Sequence, residues 1–237
     1  MTAAVTWAQA LPAGKFEVAS VKPADPNVPG MRIQTAPGGR YIASGVTVKF
    51  LIAQAYGIRD FQISGGPGWM STARFEINAK AASGTEDNRE LMALRLQDLL
   101  ADRFQLKLTQ ETREMPMYAL VVAKGGSKLK ESALDEEHRG NMSMSRGRIT
   151  VQSINMASFV TQLAQTLGRT VVDKTGLTGS YDFKLEWTPE GEASASTDQS
   201  GPTIFTALQE TMGLKLESIK GPVEILVIGH VEKPAEN

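Results

Sequence analysis

Three carboxylates lie close together in the second half of the sequence. Asp173 precedes the stretch Tyr181–Trp187, whose alternating apolar residues predict a strand. Asp182 and Glu186 have the same parity on that strand, with Lys184 between them, so all three side chains point to one face. Carboxylate pairs hydrolyse glycosidic bonds, but four positions along a strand separate two acids by about 13 Å, which is long for such a pair. The pattern is more typical of a solvated sheet face.

Three aromatic residues could supply a stacking surface for a ligand. Trp69 follows the run Gly65-Gly-Pro-Gly68, which predicts a tight turn, because a phosphate-cradling loop needs a Gly-Lys-Ser/Thr sequence and a following helix. Trp187 and Tyr181 belong to the predicted strand that carries two of the carboxylates. A partly exposed aromatic ring can stack on a sugar or an apolar ligand. These three are the candidate ligand-binding residues, although a packing role alone is favoured for Trp69.

Two methionine pairs have a spacing that can bind a metal. Met115 and Met117, and Met142 and Met144, have the Met-x-Met pattern that can ligate copper(I) in exported proteins. His138 is the only histidine near them in sequence. We favour core or loop roles for the methionines and predict no resident metal and no cofactor.

Composition argues against several other function classes. The 237 residues include no cysteine, which excludes disulfides, thiol catalysis and cysteine-ligated metals. No Gly-x-Ser-x-Gly elbow is present for a serine hydrolase. A net charge of −1 and the lack of interleaved basic and aromatic residues argue against nucleic-acid binding. No stretch approaches the ~20 apolar residues of a membrane span.

The first ten residues are typical of the end of a secretory signal. They are small and apolar and finish in Ala8-Gln-Ala10, a small-x-small pattern, although a positively charged region is missing. We interpret residues 1–14 as a signal remnant or an unstructured N-terminus. The protein is therefore expected to be exported, to the periplasm or the cell exterior.

The elements that would position these residues follow from hydrophobic periodicity and capping signals. Thr47 and Asn155 are predicted N-caps, and Gly57, Gly168 and Gly213 are predicted helix stops. The predicted helices are 48–56, 88–102, 156–167 and 203–212. The predicted strands are 16–22, 31–35, 41–46, 61–63, 74–80, 104–108, 117–123, 148–152, 170–172, 181–187, 214–219 and 223–231.

The same order of elements occurs twice. We therefore predict an α+β fold of two pseudo-repeated β-α-β-β-α-β-β modules, each with two helices on a mostly antiparallel sheet. Residues 15–127 form the first module, with edge strands at its N-terminus, and residues 148–237 form the second. The charged and then Met/Ser-rich stretch 128–147 is the expected linker. Residues 189–201 are small and polar and predict a flexible loop.

Six spaced segments resemble an uncharacterised protein family. They are Phe16–Pro23, Gln62–Trp69, Leu100–Phe104, Arg113–Leu120, Val172–Asp182 and Val223–Ile228. Together they resemble the DUF3738 family of predicted exported proteins, known mainly from acidobacteria and other soil bacteria. The resemblance implies an extracytoplasmic protein, and the fusion of some members to a membrane peptidase of the antibiotic-sensor type implies sensing or binding. It implies no catalytic residues.

Each half is also similar, in element order, to the short N-terminal domains of secretins and TonB-dependent receptors. Those domains mediate protein contacts in the periplasm. We therefore expect a non-enzymatic binding or interaction module for an unknown protein or carbohydrate ligand, acting through sheet edges or the crevice between the two modules. The alternative is a secreted hydrolase of polysaccharides or esters that uses Asp173, Asp182 or Glu186. The sequence decides neither the ligand nor the oligomeric state.

Overall fold

The computed structural model describes residues 15–28, 30–82, 88–133, 140–189 and 201–234. The expected signal segment 1–14, His138 and most of the expected loop 189–201 lie outside the described residues. Within the described ranges, no helix is both long enough and apolar enough to cross a membrane.

Across the described ranges the chain forms twelve strands and five α-helices, which confirms the predicted α+β class. The helices are α1 (Val48–Tyr56), α2 (Trp69–Thr72), α3 (Arg89–Arg103), α4 (Met156–Leu167) and α5 (Ile204–Ala207). The strands are β1 (Phe16–Pro23), β2 (Arg32–Ala36), β3 (Arg40–Thr47), β4 (Ile63–Gly65), β5 (Arg74–Ala81), β6 (Lys107–Val122), β7 (Lys130–Glu131), β8 (Asn141–Ser145), β9 (Arg148–Asn155), β10 (Val171–Asp173), β11 (Ser180–Glu186) and β12 (Leu214–His230).

The strands form three four-stranded sheets, whose orders are β1-β5-β3-β2, β10-β6-β12-β4 and β7-β11-β9-β8. The pairs within the first and third sheets are antiparallel. In the second sheet, β10 runs parallel to β6 and β4 runs parallel to β12. Parallel pairs need a long connection, so each joins segments that are distant in sequence.

The chain divides into two compact units that differ from the predicted modules. The first unit is Met1–Arg113 with Val223–Asn237, and the second unit is Glu114–Pro222. The second unit therefore begins inside β6 and ends inside β12. It does so because β10 pairs with Tyr118–Leu120, which buries Leu120 completely in the core of this unit. Duplication of the two modules stays a prediction.

Each unit has its own hydrophobic core. In the first unit, α1 and α3 contribute Leu51 and Leu96 to a cluster with the sheet residue Ile77. In the second unit, Phe159 and Leu163 of α4 cluster with strand residues of the third sheet. Burial of each such side chain contributes ~1.5–3 kcal/mol. These cores hold the surrounding loops and strand ends in place.

The expected linker 128–147 contains two strands, β7 and β8. β8 forms a hairpin with β9, and Met142 and Met144 pair with the buried residues Val151 and Ile149. Only two apolar residues alternate with serines in β8, so its strand pattern is weak in the sequence. The sequence predicts two strands on either side of Met115, but the structure has one long strand there, β6. It likewise has one long strand, β12, where two strands are predicted on either side of Lys220.

Candidate functional site

The second unit contains a cavity of about 990 Å³, a volume in the range of ~300–1,000 Å³ typical of small-molecule sites. Its walls come from β6, the β8–β9 turn, the end of α4, the end of β11 and the start of α5. The lining residues are Tyr118, Met144, Ser145, Arg146, Gly147, Gln165, Thr166, Leu167, Arg169, Trp187, Thr188, Pro189, Gly201, Thr203, Ile204 and Phe205.

Arg169 and Tyr118 form one wall of the cavity. Gly168 ends α4 in the left-handed conformation, with a φ of 59°, so the chain turns sharply and Arg169 directly follows the helix. The Tyr118 amide donates to the Thr170 carbonyl at 2.9 Å, which aligns β6 with the segment after the helix. The Arg169 guanidinium then lies 5.0 Å from the Tyr118 ring centroid, and its Nη1 donates to the Tyr118 hydroxyl at 3.3 Å. This is a cation–π contact combined with a hydrogen bond.

Phe205 and Trp187 supply the other aromatic surfaces. Thr203 caps α5 by accepting from the Thr206 amide, which fixes Phe205 on the first turn of that helix. The Phe205 ring packs edge-on against Tyr118 at a centroid distance of 5.5 Å, and 37% of the residue stays exposed. Trp187 follows β11 directly and is half-buried against the second core. Three aromatic side chains from three segments therefore border one cavity.

The β8–β9 turn holds Trp187 in place. Gly147 has a φ of 73°, which a residue with a side chain adopts only with strain. Its carbonyl accepts from the Trp187 amide at 2.9 Å, and an added Cβ at Gly147 would lie 2.5 Å from the Trp187 carbonyl oxygen. The Thr188 amide also donates to the Pro202 carbonyl at 2.9 Å. The glycine is needed for the close approach of the two backbones at the cavity edge.

Two of the candidate catalytic carboxylates accept hydrogen bonds from nearby backbone. Asp173 Oδ1 accepts from the Thr175 amide at 2.9 Å and from the Thr175 hydroxyl at 2.7 Å, which shapes the turn after β10. Asp182 Oδ1 accepts from the Ser153 amide at 2.7 Å. Ser153 has a positive φ of 50°, so Asp182 stabilises an unusual backbone conformation in β9.

Glu186, the third candidate carboxylate, is exposed and forms ion pairs. Its carboxylate lies 3.0 Å from the Lys184 Nζ and 2.7 Å from the Arg148 Nη2. The hydrogen bond from Lys184 and the charge of Arg148 lower the pKa of Glu186. It lines a pocket that shares Arg146 and Trp187 with the aromatic cavity. A carboxyl with a lowered pKa is ionised at neutral pH and is a poor proton donor.

Neither of the other two aromatic candidates lines the cavity. Trp69 begins α2, packs against the first core and makes an edge contact with Phe75 at 6.4 Å. The predicted turn at Gly65–Gly68 is thus followed by one helical turn before the strand. Tyr181 is only 4% exposed and belongs to the second core. Trp187 alone of the three aromatic candidates lines the cavity.

The methionine pairs divide between core and surface. Met117 is buried, and Met142 packs against the second core. Met144 is 50% exposed at the cavity edge, where its sulfur accepts from the Gln162 amide nitrogen at 2.9 Å. In the described part of the chain, no three histidine, aspartate or glutamate side chains cluster as metal ligands would.

Sequence reasoning missed Tyr118, Arg169 and Phe205 as site residues. The predicted helix stop at Gly168 and the predicted helix 203–212 locate Arg169 and Phe205 near helix ends. Local sequence signals do not predict the pairing of β10 with β6, and this pairing brings Tyr118 next to Arg169.

The comparisons with known proteins identify a family and no function. A family model described as a protein of unknown function, DUF3738, matches residues 49–231, which is most of the chain. No curated protein and no solved structure matches. The matched range includes every residue of the aromatic cavity. The chain belongs to the DUF3738 family.

Proposed function

We propose that this protein is a binding module and that its second unit binds a small ring-bearing ligand in the aromatic cavity. The observation that carries the proposal is the convergence of Tyr118, Trp187 and Phe205 on one cavity of about 990 Å³. Binding sites of this kind combine apolar walls with a few oriented polar groups. Here Arg169 supplies an oriented polar group.

The bonding of the three candidate carboxylates favours binding over hydrolysis. A glycosidase needs one protonated carboxyl and a second carboxylate on the other side of the scissile bond. Asp173 and Asp182 accept backbone hydrogen bonds, and Glu186 is held ionised by Lys184 and Arg148. We therefore propose binding as the function of the protein, with hydrolysis as the alternative.

We also propose that the module acts outside the cytoplasm as a sensing or interaction partner. The support for this location is the small-x-small sequence Ala8-Gln-Ala10. Fractionation of cells that express the full-length protein tests it. Recovery of the protein from the cytoplasm alone would contradict an exported location.

A thermal-shift screen with a library of small metabolites tests the binding site. Phe205→Ala removes one exposed aromatic wall, so it is expected to fold normally and to bind the library hits at least about tenfold more weakly. Met31→Ala is the matched control, because Met31 is also a large, exposed apolar residue, at 51%, but belongs to the first unit. The wild type and Met31→Ala should show the same dissociation constants.

Two results would contradict the proposal. One is that no compound raises the melting temperature of the wild type. The other is that the hits bind Phe205→Ala as tightly as the wild type, which would place them at another site.

A further inference from the structure

Arg169 has no acidic partner among the described residues, unlike Arg103, Arg113 and Arg148. Arg113 pairs with Glu111, and Arg148 pairs with Glu186. Within the described residues, no carboxylate lies within ion-pair distance of Arg169, whose interactions are with the ring and hydroxyl of Tyr118. Arg169 is half-buried at the cavity wall. A partly desolvated charge without a counter-ion is stabilised by any anion that reaches it.

The guanidinium is also held in position before a ligand arrives. The backbone amide of Arg169 donates to the Ala164 carbonyl at 3.2 Å, just after the Gly168 turn. At the far end of the side chain, the Tyr118 hydroxyl accepts its hydrogen bond. An arginine fixed at both ends loses little conformational entropy when it binds an anion, and its planar fork matches a carboxylate or phosphate.

All the charged side chains among the described residues that line the cavity are positive. Arg146 and Arg169 are the only charged residues of this described lining, which includes no aspartate or glutamate. The aromatic groups Trp187 and Phe205 border the same space, so an anion at Arg169 would have flat apolar surfaces close by. A cationic ligand would meet only like charge from the described lining of this cavity, and Glu186 of the adjoining pocket is already paired with Lys184 and Arg148.

From this arrangement we infer the ligand class: a small organic anion, with a carboxylate or phosphate that binds Arg169 and a flat apolar ring that stacks between Trp187 and Phe205. This inference rests on the proposed binding function of the cavity and adds the chemistry of the ligand. Recognition combines a charge-assisted hydrogen bond with aromatic stacking.

Three naphthalenes of similar size and different charge test the inference. They are 2-naphthoate, 2-naphthalenemethanol and 2-naphthylmethylammonium, titrated calorimetrically against the full-length protein. We expect 2-naphthoate to bind at least about tenfold more tightly than the alcohol, and the cation to bind most weakly. Added salt should reduce the preference for the anion, because a partly exposed ion pair is screened.

Variants at Arg169 test whether this residue causes the preference for 2-naphthoate over the alcohol. Arg169→Gln should bring the affinity for 2-naphthoate down to that for the alcohol, and unchanged alcohol binding shows that the cavity is still folded. Arg169→Lys should keep part of the anion preference, since it retains the charge and loses the fork. Arg113→Gln is the control, because Arg113 lies in the first unit and pairs with Glu111.

The outcomes separate the two proposals. Equal binding of all three naphthalenes, tighter binding of the cation, or an anion preference that survives Arg169→Gln would overturn the ligand class and leave the binding site standing. Screen hits that depend on Phe205 but are uncharged or cationic would do the same. If none of the three naphthalenes binds and the metabolite screen finds no ligand that depends on Phe205, both proposals fail.

Discussion

At the scale of single residues, Tyr118 links the polar and apolar parts of the cavity. Its ring carries the cation–π contact with Arg169 and the edge contact with Phe205, and its hydroxyl accepts from Arg169. It is half-buried and lines the cavity. Because the Tyr118 side chain contacts both Arg169 and Phe205, its position would fix the spacing between the anion and the ring of the proposed ligand.

The ion pairs of Glu186 predict how stability depends on pH. The pKa of Glu186 is lower in the folded protein than in the unfolded chain, so its stabilising contribution is present above the unfolded pKa and is lost as the pH falls through the folded pKa. Glu186→Gln should therefore lower the urea midpoint at pH 7, and its difference from the wild type should shrink toward pH 3.

The control for this pH series is Glu114→Gln. Glu114 is an exposed carboxylate in the same unit and makes no ion pair with a described residue. Its substitution should leave the urea midpoint unchanged at both pH values. A difference between Glu186→Gln and the wild type that is the same at pH 7 and pH 3 would show that the ion pairs do not produce it.

At the scale of elements, β9 bends at Ser153. The pairing of β9 with β11 shifts register between Tyr181 and Phe183, opposite the positive φ of Ser153. The Asp182 carboxylate accepts from the Ser153 amide at this irregularity. A bulge needs such a partner, because the strand ladder no longer satisfies its backbone groups. The carboxylate that suggested catalysis is thus part of the strand geometry.

Removal of that carboxylate should destabilise the protein without unfolding it. Asp182→Ala leaves the Ser153 amide without its acceptor, which costs about 1 kcal/mol. Asp182→Asn keeps an oxygen acceptor and should lose less. Chemical denaturation of the two variants measures the difference, and equal stability of Asp182→Ala and the wild type would remove the structural role assigned to Asp182.

The helices show how much of the fold local sequence predicts. Thr47 and Asn155 cap α1 and α4 by accepting from the amides of Phe50 and Ser158, as predicted. Gly57 and Gly168 end those helices in the left-handed conformation. Capping depends on three or four neighbouring residues, so the sequence contains all the information that it needs.

Strand pairing and the candidate site depend on contacts that local sequence does not contain. The sequence predicts a linker where β8 lies, because the apolar residues of β8 are only Met142 and Met144 among serines. The partner of β10 is the distant Tyr118–Leu120 segment, and no periodicity within β10 identifies that partner. Of the cavity residues, Trp187 was found because aromatic type alone suggests stacking. Arg169 was missed because its importance arises from the position of Tyr118.

At the scale of the whole molecule, the unit boundaries give the sharpest difference from the sequence-based modules. The sequence divides the chain at 127 and 148, whereas the second compact unit is Glu114–Pro222. A fragment of residues 148–237 would lack Leu120, which is fully buried in the second core. It would also contain Leu226 and Ile228, which are buried in the core of the first unit.

Two fragments therefore distinguish the two divisions. Residues 114–222 keep the pairing of β10 with Tyr118–Leu120 and all the cavity residues, so this fragment should unfold cooperatively and bind the ligands of the full-length protein. Residues 148–237 leave β10 without its partner and expose Leu226 and Ile228, so this fragment should aggregate or lack a cooperative transition. Thermal denaturation followed by circular dichroism measures both. Cooperative unfolding of 148–237 with none for 114–222 would restore the boundaries expected from the sequence, because it would show that the buried Leu120 is dispensable for the core of the second unit.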